Sequence, residues 1–165
     1  MFDIEQFRSE IVQKALDKLK LYSKESEQLL MLTCAVASLG GTYLKESRGF
    51  GLGVFGMSAK VHDELWLTYL PKRSDLAYHL LIAIYLSSKP PAEFLKYNLL
   101  YAAMMCRLKY FFVKEPMPKL NDINSMALYW HTYYNTDISL TVGDAVAAYN
   151  RFMGIKEMKK VSKVK

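Results

Sequence analysis

A chain of 165 residues that is 52% hydrophobic, 23% charged and 13% aromatic has the size of one domain; it is too apolar for a disordered protein and too poor in glycine and proline for a fibrous one. Its two cysteines, Cys34 and Cys106, sit in apolar stretches and read as small buried hydrophobes, which excludes a disulfide scaffold, and no Cys/His cluster has zinc spacing. The net charge of +6 gathers at the C-terminus, where Lys156, Lys159, Lys160, Lys163 and Lys165 face one acid, Glu157, so a domain over 1–155 and a basic tail over 156–165 are expected.

The body carries no lysine/arginine stripe interleaved with aromatics, so no specific nucleic acid is expected as a partner, whereas the tail suits an anionic wall or membrane surface. The opening Met-Phe-Asp-Ile-Glu lacks a secretory pattern. The apolar run over 80–86 falls far short of the roughly 18 residues of a membrane span. A soluble single domain is the expectation.

In chain order, Asp3 and Gln6 fit a helix start, with Phe7, Ile11, Ala15 and Leu19 lining one face behind it. Ser23 can cap a second helix, and Leu29, Leu30, Thr33, Cys34, Ala35 and Val36 leave that helix little polar surface, which predicts a central position. The periodicity then breaks. Gly40, Gly41, Gly49, Gly51, Gly53 and Gly56 are six of the chain's eight glycines, and they predict a Gly-rich loop or small irregular hairpin over 40–57 whose backbone can approach a ligand. Phe50, Leu52, Val54 and Phe55 argue that this segment is packed.

Ser58 is predicted to cap a helix running to about Leu70 and ended by Pro71; Ser74 opens another over 76–86, ahead of Pro90-Pro91. A long helix is predicted over 92–113, buried through Leu95, Leu99, Ala102, Ala103, Cys106 and Tyr110. An aromatic-rich helix over 125–134 follows, and Thr141-Val-Gly-Asp144 is a capping box for the last helix, to Phe152. Tyr78, Tyr85, Tyr101 and Tyr110 fall on apolar helix faces and are expected in the core. About seven helices with one glycine-rich interruption make an all-α, α-dominated domain.

The segments Leu-Thr-Cys-Ala-Val-Ala-Ser-Leu-Gly-Gly-Thr-Tyr-Leu (32–44), Gly-Leu-Gly-Val-Phe-Gly-Met (51–57) and His-Asp-Glu-Leu-Trp (62–66), followed by Tyr-Trp-His-Thr-Tyr-Tyr-Asn (129–135) and Ala-Ala-Tyr-Asn (147–150), resemble small tailed-phage proteins of the lysozyme superfamily, which are similar to soluble lytic transglycosylases. The resemblance runs in order over about residues 3–152. It implies a lysozyme-like fold and cleavage of peptidoglycan glycan strands, with no cofactor and no metal. It also implies a phage-encoded protein, made in the host cytoplasm and acting at the cell wall or periplasm or carried in the virion.

Two positions depart from the family pattern. Ala37 stands directly before Ser38 where the family has its glutamate, and Gly56 stands directly before Met57 where a glutamine is usual. By the resemblance, position 37 with Ser38 is the catalytic position. Gly53, Phe55, Gly56, Met57, His62, Trp130, Tyr133, Tyr134, Tyr149 and Asn150 are the substrate-binding candidates.

Glycoside cleavage needs a proton delivered to the leaving oxygen, and a half-buried glutamate with a raised pKa holds one at neutral pH. Alanine holds none. Loss of a positioned general acid alone costs on the order of 10²- to 10⁴-fold in rate, so the chain as written is expected to be inactive. An inactivating Glu→Ala substitution is the favoured explanation, because the surrounding segment is intact. The alternative is a natural pseudoenzyme, or a structural or interaction protein of a phage particle that keeps the scaffold, and the departure at Gly56 pulls that way. Glu46, at the mouth of the glycine loop, is the remaining candidate acid, although Lys45 and Arg48 beside it would lower its pKa and a solvated loop charge is the plainer reading.

Overall fold

Helix starts follow the capping signals. In the computed structural model, which describes residues 2–45 and 49–155, the Asp3 carboxylate accepts from the Gln6 N–H at 2.9 Å and opens α1. This helix covers 4–18, passing from an α turn (Ile4–Gln6) through a π-helical stretch (Phe7–Gln13) back to α geometry (Lys14–Lys18). Ser23 and Ser26 form a reciprocal capping box at the start of α2 (Lys24–Ser38). Glu46 and the basic tail lie outside the described residues.

As its apolar sides predict, α2 is central. Leu29, Leu30, Leu32 and Cys34 have no exposed surface, and each fully buried leucine contributes about 1.5–3 kcal/mol relative to an exposed one. The buried Thr33 is satisfied on both sides, since its hydroxyl donates to the Leu29 carbonyl at 2.8 Å and accepts from Tyr110 at 2.7 Å. The glycine-rich segment is a minimal antiparallel hairpin, β1 (Gly51–Leu52) against β2 (Met57–Ser58), with Leu52 opposite Met57.

Ser58 does cap the next helix, accepting from the Val61 N–H at 3.2 Å. That helix, α3, covers 59–72: an α stretch (Ala59–Glu64), a second π-helical stretch (Leu65–Tyr69) and a 3-10 turn (Leu70–Lys72) that contains Pro71 instead of stopping before it. Helix α4 (Ser74–Ala83) begins at Ser74 itself, two residues earlier than predicted and without a side-chain cap, and ends three residues earlier, where Tyr85 turns the chain with φ +57. The face of α4 that packs inward is Leu76, Leu80 and Ala83. Tyr78 is off that spacing, so Tyr78 and Tyr85 are on the surface, 61% and 95% exposed, not in the core as expected. Tyr101 and Tyr110 are buried.

The single long helix predicted over 92–113 is two. Asn98 takes an extended conformation between α5 (Phe94–Tyr97) and α6 (Leu99–Phe111), and its side chain caps α6 by accepting from the Tyr101 N–H at 2.9 Å. An asparagine competes with the helical backbone for such bonds and is favoured at an N-cap over a helix interior. Asp122 caps α7 (Ile123–Tyr133), and Thr141 with Asp144 forms the predicted capping box of α8 (Val142–Phe152).

The protein is therefore helix-dominated, with the hairpin as its one sheet among the described residues. Helix α2 packs most extensively on α8 and also touches α6 and α7. Cys34 and Cys106 are free and buried as expected, and burial pushes both thiols up to about 12.

Candidate functional site

Position 37 lies in the last turn of α2, half-buried, on the wall of a shallow depression that it shares with Phe55, Gly56, Trp130, Tyr134, Asn135, Thr136 and Leu140. The hairpin supplies Phe55 and Gly56, α7 supplies Trp130, and the chain leaving α7 supplies the rest. The depression itself is about 10 Å³, barely room for one water. Trp130 is nearly fully buried there, and its indole N–H is a buried donor with no partner among the described residues.

Thr136 also lines a much larger groove of about 710 Å³, which continues past the hairpin between Lys45, Gly49, Phe50, Leu52, Ser58, Ala59, Lys60, Glu93, Asp137 and Ile138. Phe50 and Ile138, 89% and 100% exposed, offer apolar surface on either side of it. The loop bearing the last two residues is built, not loose: Asn135 accepts from the Asp137 N–H at 2.9 Å, and Asp137 accepts from the Ser139 N–H at 2.8 Å and its hydroxyl at 2.6 Å. Those bonds from Ser139 hold the Asp137 carboxyl below the usual carboxylate range, so it stays ionised at neutral pH. Glu93 is ion-paired with Lys96. Neither carboxylate is arranged as a proton donor.

The structure thus brings together Ala37, Phe55, Gly56, Trp130 and Tyr134 from the predicted set and places the others elsewhere. Ser38 is buried, and its hydroxyl donates to the Cys34 carbonyl at 3.0 Å and accepts from the Gly41 N–H at 2.9 Å, closing the turn after α2. Gly53 does let the backbone approach something closely, but that partner is the Leu95 carbonyl of α5. Met57 is buried in β2. Tyr149 is buried, with its hydroxyl accepting from Gln28 at 3.1 Å, and Asn150 beside it lines neither cavity. Tyr133 faces a different cavity, described below.

His62, expected near substrate, is fully buried in a polar chain. The Trp66 indole N–H donates to the Tyr101 hydroxyl at 2.9 Å, which leaves the tyrosine's own proton for His62 Nε2 at 2.7 Å. His62 then carries its proton on Nδ1 and donates to Asp63 at 3.0 Å, and Lys89 holds that carboxylate from outside at 2.5 Å. Burial lowers the His62 pKa, outweighing the raising pull of Asp63. A histidine held neutral when folded but free to protonate when unfolded gives stability that is present above about pH 6.5 and lost as pH falls below it. Chemical denaturation should show stability falling between pH 6.5 and 5, at up to about 1.4 kcal/mol per pH unit. A His62→Gln variant should flatten that slope; an unchanged slope would refute the assignment. Asp63, Asp75, Asp122, Asp137 and Asp144 all have lowered pKa values, so their losses come at more acid pH.

The groove residues Lys45, Lys60, Glu93 and 136–138 carry no signal in the sequence, and Phe50, expected to be packed with the glycine segment, is exposed instead. Asn135 closes one of the motif segments, but the loop beyond it has no local pattern that assigns it to a wall. Among the described residues no group of His, Cys, Asp and Glu is arranged to hold a metal ion, and no helix is long and apolar enough to cross a membrane. In comparisons with known proteins, no family model, no curated protein and no solved structure matches the chain.

Proposed function

We propose that the protein is a lysozyme-like, phage-encoded domain that binds peptidoglycan glycan strands in the groove beside the hairpin and, as its sequence stands, does not cleave them. The observation that supports this most is the position of residue 37. It is half-buried at a helix end, in a depression that it lines with Gly56 and Trp130 and that shares Thr136 with a groove large enough for several sugar rings. Exposed Phe50 provides a face against which a sugar ring can lie. A glutamate at position 37 would be near an aromatic wall and at the negative end of the α2 dipole, and both raise a carboxyl pKa.

One observation favours a scaffold that was never a single substitution away from activity. Gly56 has φ +61, so the backbone at the second departure is left-handed, a conformation that glutamine adopts only with strain. A particle-associated, glycan-binding protein that retains the fold is the reading this favours. The two are separated by an Ala37→Glu variant assayed for clearing of purified cell walls, with wall sedimentation as the binding readout. Failure of the parent chain to sediment with walls would end both.

A further inference from the structure

On the far side of α7, a second cavity of about 180 Å³ is walled by Val61, Leu65 and Tyr69 from α3, Phe112 and Val113 at the end of α6, and Tyr133 from α7, with Glu64 and Lys109 as its charged members. Cavities of roughly 150 Å³ take up a benzene-sized guest. The wall from α3 includes its π-helical stretch, a local departure that recurs at functional sites. Lys109 is fixed in place: its ammonium donates to the Tyr134 carbonyl at 2.8 Å and sits 4.2 Å from the centre of the Tyr134 ring. Neither the fold nor the glycan reading uses this lysine.

We propose that the cavity is a binding site for a small apolar aldehyde, which Lys109 captures as an imine. The amine nitrogen attacks the carbonyl carbon, and a proton passes from nitrogen to oxygen to give a carbinolamine. The C–O bond then breaks as a solvent proton converts the hydroxyl to departing water and C=N forms, and the nitrogen finally returns its remaining proton to solvent; aldehyde plus amine gives imine plus water, with no change of oxidation state. The apolar walls hold the guest and favour an uncharged product. They also act on the amine. Burial lowers the Lys109 pKa to about 8, against smaller raising effects from Cys106 and Glu64. At neutral pH this gives on the order of a hundredfold more free amine than an ordinary lysine has. The other ionisable groups around it are the hydroxyls of Tyr69, Tyr133 and Tyr134.

The test uses the full chain with benzaldehyde and cyanoborohydride near pH 7, followed by peptide mapping. Lys109 should carry at least about tenfold more benzyl adduct than each of the exposed Lys72, Lys114 and Lys119, and its labelling should rise with a midpoint near 8. Benzyl alcohol, which fits the same space but forms no imine, should protect Lys109 and leave the exposed lysines labelled. Even labelling across all lysines, an unlabelled Lys109, or no protection by the alcohol would each overturn the proposal. The outcome is read separately from the glycan reading, since labelling at Lys109 needs no wall binding; the two places touch only through Tyr134, which anchors Lys109 and lines the depression at Ala37.

Discussion

If the acid at position 37 is all that is missing, an Ala37→Glu variant is expected to clear purified cell walls at a rate on the order of 10²- to 10⁴-fold above the parent chain. The side chain would enter from the last turn of α2, with Phe55 and Trp130 on the same wall. The depression there holds little more than one water, so the added carboxyl needs room beyond it, and on the glycan reading that room is the groove that shares Thr136 with it. The Trp130 indole N–H, a buried donor on that wall with no partner among the described residues, is available to orient the carboxyl without supplying a full charge. Ala37→Gln is the control, matching shape without an exchangeable acid proton, and it should remain inactive. If Ala37→Glu folds, sediments with walls and clears nothing, the muralytic reading fails and the particle-scaffold reading stands.

Gly53→Ala is expected to destabilise the protein by about 2–4 kcal/mol, from about 1–3 for the forced contact and about 1 for the left-handed backbone, a large part of a typical domain's total stability. At φ +70 a new Cβ would stand 2.1 Å from the Leu95 carbonyl oxygen, a backbone atom that cannot rotate away. Gly154→Ala separates the two contributions. Gly154 has φ +66 with nothing within 4 Å of its would-be Cβ, so that change should cost only the conformational penalty of about 1 kcal/mol. Equal losses in urea denaturation for the two variants would refute the hairpin-to-α5 contact. Because the hairpin carries Phe55 and Gly56, Gly53→Ala should also weaken wall sedimentation.

What could be read ahead of the structure was set by range. The caps at Asp3, Ser23, Ser58 and Thr141 depend on a side chain meeting a backbone N–H three residues on, and all four are present. The break at Asn98 had the same kind of local signal, but the apolar periodicity on both sides of it concealed the cap. The His62–Tyr101 bond spans 39 residues and leaves no trace at either end of the sequence. Lys109 likewise reads as one more charge on a helix, because its surroundings come largely from α3 and α7, which are remote in the chain. Around position 37, the motif residues Ala37, Phe55, Gly56, Trp130 and Tyr134 share one wall, while the walls of the larger groove come largely from loops without pattern.

The two thiols give the molecule an internal clock. With Cys34 and Cys106 both sealed and held protonated up to about 12, an alkylating reagent meets a silent surface until the helices part. The rate at which label accumulates at neutral pH should therefore report the frequency of whole-domain opening, residue by residue, with no engineered probe.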